Sequence, residues 1–161
     1  MKEIERKFLL NKVPDIEPVK QVKITQSYVS THPEVRVRSY EVLSGTDKGH
    51  KDYMMTIKGS GDLCRDEIET YISEEFFHNV IAFVGRSPIT KDYRKYEIDG
   101  YILEVSIVDP GTPAEFCYAE VEFDSLEEAI NYKVPFDDFV DVTFDQSYKM
   151  RNYWLRTRTM V

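Results

Sequence analysis

The sequence predicts a mainly β fold of the α+β kind: a closed eight-stranded antiparallel β-barrel tunnel with a few short flanking helices. Three observations carry this. Long stretches alternate with period two and are rich in Val, Ile, Tyr and Thr, the pattern of strands half buried on one face. Glycine-containing turn signals separate these runs, and the number of runs, about eight, can close a sheet and remove its exposed edges. One parity of nearly every run is ionic, so closure puts charge inside.

In chain order the strands are expected at Glu3–Leu10, Ile24–Ser30, Glu34–Leu43, Asp52–Lys58, Arg65–Ser73, Ile89–Ile98, Tyr101–Val108 and Cys117–Asp124. Ser44-Gly45, Gly59-Ser60-Gly61 and Asp109-Pro110-Gly111 mark turns, and Asp99-Gly100 is a two-residue hairpin signal joining Ile98 to Tyr101. A helix over Glu74–Val84 has Ser73 as its cap, acidic residues in its first turn and Gly85 at its end. Ser125 and Glu128 form a capping box opening a helix over Leu126–Tyr132, stopped by Pro135. The tail from Asp145 to Leu155 reads as a last helix that packs Tyr148 and Trp154 on the barrel.

At 161 residues, with 42% hydrophobic and 31% charged residues, the chain suits one ordinary globular domain over 1–161. No apolar run reaches membrane-spanning length, and Met-Lys-Glu-Ile-Glu-Arg-Lys lacks the apolar core of a signal peptide, so a cytoplasmic protein without a membrane partner is expected. A net charge of -8 argues against non-specific binding to a nucleic-acid polymer. It leaves room for a small anion in a locally basic cleft. Cys64 and Cys117 lack metal-ligand spacing and read as buried thiols; His32, His50 and His78 are scattered and receive no role.

The inward-facing charges are grouped by sign. Glu3 and Glu5 share a face with Lys7, Arg36 pairs with Arg38, Glu67 with Glu69 beside Arg65, and Glu120 with Glu122. The members of each pair lie roughly 7 Å apart along a strand. A solvated face gains nothing from such grouping. Paired carboxylates suit a hard divalent cation, Mg²⁺ or Mn²⁺, and guanidinium and ammonium groups suit phosphate oxygens. Both sets facing one cavity imply a metal-bound polyphosphate.

Glu3-x-Glu5-x-Lys7, followed in order by Arg36-x-Arg38, Thr56-Ile57-Lys58, Arg65-x-Glu67-x-Glu69, Lys91, Glu120-Val121-Glu122, Val142-Thr143 and Tyr148-Lys149, resembles the CYTH superfamily, the triphosphate tunnel metalloenzymes. The resemblance spans nearly the whole chain. It implies that Lys7, Arg36, Arg38, Lys58, Arg65, Lys91 and Lys149 bind a triphosphate and that Glu3, Glu5, Glu67, Glu69, Glu104, Glu120 and Glu122 supply metal ligands. Ser106 stands where the family carries Asp, which leaves the number of metal sites open. The sixth strand reads Lys91-Asp92-Tyr93-Arg94 in place of Lys-x-Arg, so Arg94, the last basic candidate, reaches the interior only through a bulge.

Gln26-x-Tyr28 is similar to family members that cleave inorganic tripolyphosphate, in which a Tyr works with the first-strand Lys on the attacking water; Tyr28 is either that residue or a packing aromatic. The resemblance therefore implies a Mg²⁺-dependent triphosphatase acting on a small-molecule triphosphate, inorganic tripolyphosphate first. Adenylate cyclase and thiamine triphosphatase activities of the same superfamily, or a non-catalytic polyphosphate or nucleotide sensor, are the alternatives. A homodimer is one assembly this reading allows.

Overall fold

The computed structural model describes residues 2–158. Nine strands follow one another as β1 (Lys2–Leu10), β2 (Lys20–Thr31), β3 (Glu34–Val42), β4 (Lys51–Lys58), β5 (Cys64–Tyr71), β6 (Ile89–Ile98), β7 (Tyr101–Val108), β8 (Phe116–Glu122) and β9 (Phe139–Asp141). Helices α1 (Glu74–Val84), α2 (Leu126–Asn131) and α3 (Met150–Arg158) interrupt or follow them. The hydrogen-bonded order is β5-β4-β3-β2-β6-β7-β8-β1-β9, and an additional β5–β1 pairing closes the first eight strands into an antiparallel barrel.

The closing seam is short, because β1 has to share one edge between two partners. Lys2, Glu3 and Ile4 pair with Asp66, Arg65 and Cys64, while Phe8, Leu9 and Leu10 pair with β9. Along its other edge β1 runs in continuous register with β8, from Glu5↔Glu122 to Leu10↔Cys117. The β6–β7 hairpin turns at Asp99 and Gly100, both at positive φ (54° and 81°), as the sequence implies.

Parity sorts the side chains into two cores. Outward-facing Phe8, Leu10, Leu103, Val105, Ala119 and Val121 pack under α2 with Ala129 and Tyr132. Arg6, on the same side, donates to the Ala129 and Tyr132 carbonyls, both at 2.9 Å, and pairs with Asp141 at 2.8 Å, so one guanidinium ties β1 to α2 and β9. Helix α1 lies across β2, β3 and β4, burying Phe77 beside Tyr53. The outer face of β5 is left bare, with Ile68 65% exposed, so the helices cover less of the barrel than strand patterning suggests.

The second core plugs one end of the barrel. Tyr28, Ile89, Val108 and Tyr118, from the same end of β2, β6, β7 and β8, pack against Met150, Tyr153 and Trp154 of α3. Tyr28 and Trp154 rings sit 5.8 Å apart. The tail is not one helix from Asp145: Asp145 caps a 3₁₀ turn at Gln146–Tyr148, and α3 begins only at Met150. An Asp109–Arg158 pair locks it, with Nη1–Oδ2 2.6 Å and Nη2–Oδ1 2.9 Å, and the Tyr153 hydroxyl also donates to Asp109.

Candidate active site

Inside the barrel is a cavity of about 360 Å³, a size typical of small-molecule sites. Its wall contains Glu3, Glu5 and Lys7 of β1, Arg36 and Arg38 of β3, Lys58 of β4, Arg65, Glu67 and Glu69 of β5, Lys91 of β6, Glu104 of β7, and Glu120 and Glu122 of β8. Tyr28 and Lys149 line it as well. The pleat is the reason: residues two apart on each strand fall on one face, and closure turns that face inward.

Arg94 is the exception. Both neighbours of β6 run in unbroken register past it, so no bulge re-aims its side chain. It points outward and pairs with Asp92 at 2.9 Å. Tyr93 and Lys95 take the inward places of that strand. Ser106 is buried opposite Tyr118 in the β7–β8 register and supplies no carboxylate. The sequence reading also passed over Glu34 and Tyr118, which line the cavity, although Glu34 has the parity of Arg36. His50, given no role, stands on the cavity wall and pairs with Asp52 at 3.2 Å. Cys64 and Cys117 are free and only half-buried.

The charges are arranged in opposition. Lys58 Nζ meets Glu3 at 2.9 Å and Glu67 at 3.1 Å. Arg65 lies 3.8 Å from Glu3 and 3.5 Å from Glu34. Lys7 Nζ donates to the Tyr148 carbonyl at 2.6 Å and sits 4.0 Å above the Tyr118 ring, while its backbone N–H donates to Thr143 Oγ1 at 3.0 Å. Lys91 donates to the Tyr118 hydroxyl at 2.6 Å. Arg38 donates from Nε to Gln26 at 2.9 Å. Lys149 is held by Asp62 at 2.9 Å and by the carbonyl of Gly61. Gly61 has φ +133°, and an added Cβ would come 2.3 Å from the Cys64 carbonyl oxygen, so only glycine fits there.

Crowding raises three of the carboxyls and lowers two of the lysines. Burial pushes the Glu5 carboxyl well up, reinforced by the neighbouring charge of Glu120. Burial also raises Glu120, but Lys7 and Lys91 outweigh it and hold that carboxyl below its usual value. Glu122 is pushed up to about 7 by desolvation and by Glu104, Glu3 and Glu67. Burial raises Glu104, again with Glu120 beside it. Among the cations, burial and then Arg38 and Arg36 push Lys91 well down, and burial lowers Lys7. Glu5, Glu104 and Glu122 among the acids, and Lys7 and Lys91 among the bases, lack counter-charge that a ligand could bring.

Oxygen atoms of Glu3, Glu5 and Glu122 can lie within 4.8 Å of one another, a set of hard donors at the junction of β1 and β8. The arrangement can therefore hold a divalent cation against one wall and a polyanion against the other.

A family model described as the CYTH domain matches residues 1–132. No curated protein sequence matches the chain. Among solved structures, two crystal structures of the protein NE1496 are similar to it. The one called a hypothetical protein is 29% identical, covering 94% of this chain and 96% of the other, with a TM-score of 0.62. The one called the inorganic triphosphatase NE1496 is 28% identical, covering 94% and 93%, with a TM-score of 0.61. A candidate adenylate cyclase from Bacillus halodurans is 14% identical over 80% of this chain and 85% of its own, with a TM-score of 0.51, and shares the fold alone.

Proposed function

The chain belongs to the CYTH domain family, and from that premise we propose that it is a Mg²⁺-dependent triphosphatase whose first substrate is inorganic tripolyphosphate. The observation that carries the reading is one cavity lined by both carboxylates and basic side chains, in which Glu122 and Lys91 are each shifted toward their neutral forms by burial and like charge. The similarity to the inorganic triphosphatase NE1496 supports it. So does the size of the cavity, which lets a triphosphate and its cation enter together.

The donor set fits the cation: Glu3, Glu5 and Glu122 offer carboxylate oxygens only, the ligand chemistry of Mg²⁺ or Mn²⁺. Glu67, Glu69, Glu104 and Glu120, which line the same cavity, would add ligands directly or through water. A bound cation would supply positive charge that offsets the charge of the phosphate chain.

The remaining work falls to side chains of the barrel. Arg36, Arg38, Lys58 and Arg65 grip non-bridging oxygens, with Lys91 and Lys149 extending the basic wall. Burial and the neighbouring Arg38 and Arg36 push Lys91 down, and an arriving polyanion favours its charged form. Lys7, fixed by the Tyr148 carbonyl, holds its ammonium over the reacting end, and the buried Tyr28 hydroxyl faces the same space without a hydrogen-bond partner. The plug formed by α3 keeps bulk water from that end.

The test is phosphate release from tripolyphosphate, ATP, thiamine triphosphate and pyrophosphate, with and without Mg²⁺, for wild type and Glu5→Gln. Metal-dependent cleavage of tripolyphosphate above the others, lost in the variant, is the expected result. Absence of metal-dependent release from any triphosphate refutes the reading.

A further inference from the structure

Buried polar atoms are almost always hydrogen-bonded, so each exception asks for an occupant. Among the described residues, several such atoms lack a partner, and four of them belong to residues that line the plugged end of the cavity: the Tyr28 hydroxyl, Glu34 Oε2, Arg36 Nε and Arg65 Nη1. Three of these groups can donate, and they suit phosphate oxygens. Glu34 Oε2 cannot. A carboxylate oxygen only accepts, and a fully ionised phosphate offers it nothing.

Glu34 is 4% exposed and stands at the start of β3, two residues before Arg36 on the same inward face. Its strand neighbours are Lys58 on β4 and Thr31 on β2, and Tyr28 lies opposite Arg36 just across the β2 bulge. Its Oε1 reaches Arg65 at 3.5 Å, an ion pair too long and misaligned to satisfy either group. Lys58 is already served by Glu3 and Glu67. A carboxylate kept only to orient Arg65 would use both oxygens or a shorter contact. The group that fits beside an acceptor-only oxygen, a phenol and two guanidinium groups is a water molecule.

We infer that Glu34 holds the attacking water in line with the terminal phosphorus and takes its proton, an extension of the triphosphatase reading on which it rests. The water oxygen forms a bond to that phosphorus, and the bridging P–O bond to the departing pyrophosphate breaks. The water proton passes to Glu34 and leaves with the phosphate product, restoring the carboxylate. Tyr28 donates to the same water and Arg65 steadies the oxygens of the phosphoryl group, so Glu34 works on a nucleophile placed by its neighbours.

The experiment compares Glu34→Gln and Glu34→Asp with wild type in steady-state tripolyphosphate hydrolysis with Mg²⁺, and measures tripolyphosphate binding calorimetrically with Ca²⁺ in place of Mg²⁺. Loss of a general base costs about 10²- to 10⁴-fold. The expected result is a kcat lower by that factor in Glu34→Gln, KM and Ca²⁺-supported affinity within about threefold of wild type, and an intermediate kcat in Glu34→Asp. Arg65→Ala is made in both backgrounds to separate a proton-accepting role from a merely supporting one. A base still lowers kcat further in the Arg65→Ala background when it is removed, whereas removing a prop for Arg65 adds nothing once Arg65 is gone. A kcat within threefold of wild type in Glu34→Gln, a loss confined to KM, or complete non-additivity with Arg65→Ala overturns the assignment. Inactive wild-type protein would instead sink the triphosphatase reading itself, so the two failures are distinguishable.

Discussion

Removing the Asp109 carboxylate is expected to release the plug. Its two oxygens receive Arg158 twice, at 2.6 and 2.9 Å, the Thr90 N–H at 3.1 Å, and the Tyr153 hydroxyl. The Asp109 and Arg158 side chains are 7% and 11% exposed, so water cannot replace the lost partner. Arg158 keeps contacts to the Ser87 and Pro88 carbonyls at 3.1 Å, which offer no charge. Breaking a buried pair from one side costs about 3–5 kcal/mol. For a chain of this length each kcal/mol moves the midpoint by about 2–4 °C, so Asp109→Ala is expected to melt about 6–20 °C lower.

Burial raises the Asp109 carboxyl, but Arg158, Tyr153 and the Thr90 N–H outweigh it and hold it below its usual value. A depressed carboxylate contributes stability above its unfolded pKa of about 3.9 and loses it as pH falls through the lower folded value. The gap between wild type and Asp109→Asn is therefore full at neutral pH and closes below about pH 4. Calorimetric or fluorescence melts across that range measure it. A midpoint for Asp109→Ala within about 2 °C of wild type at pH 7 would refute the reasoning.

Two further outcomes follow from the ionic walls. Arg36→Ala removes a charged contact of about 1.5–3 kcal/mol and is expected to lower kcat/KM for tripolyphosphate about 10- to 150-fold, mostly through KM, in steady-state assays; an unchanged kcat/KM excludes Arg36 from the grip. Ca²⁺ with tripolyphosphate, at about 100 times Kd, is expected to stabilise the fold by about 2.7 kcal/mol, or about 5–10 °C, and by more than the two added separately. Thermal scans at matched ionic strength that show no ligand-specific shift would remove the basis for a charged binding cavity.

How much of this was legible in the sequence depended on whether a feature repeats along a strand. Glu3/Glu5/Lys7 and Glu120/Glu122 announce an inward face because two or three residues of one parity agree. The hairpin at Asp99-Gly100 and the caps Ser73 and Ser125 are equally local, and all appear where expected. Glu34 was missed because it is a single acid next to a basic pair, and sign grouping draws the eye to Arg36 and Arg38. Arg94 followed a spacing carried over from the family, while the parity of β6, which put it outside, was the better guide. Strand β9 is three residues long, too short for any period, and exists because β1 has a free edge that only the folded barrel creates.

That shared edge of β1 also sets the order in which the molecule can assemble. Glu5 meets Glu122 and Lys7 meets Glu120, partners more than a hundred residues apart, while the β2–β3, β3–β4 and β6–β7 hairpins join near neighbours. During synthesis β1 emerges first yet has to wait for β8 before it finds its long partner. Its three-pair contact with β5 is a thin hold until then. Non-local pairing of this kind is slow and leaves strand edges open in the interim. Closure of the barrel and completion of the carboxylate cluster are thus one late event, and a chain halted before Phe116–Glu122 lacks both the long partner of β1 and Glu122.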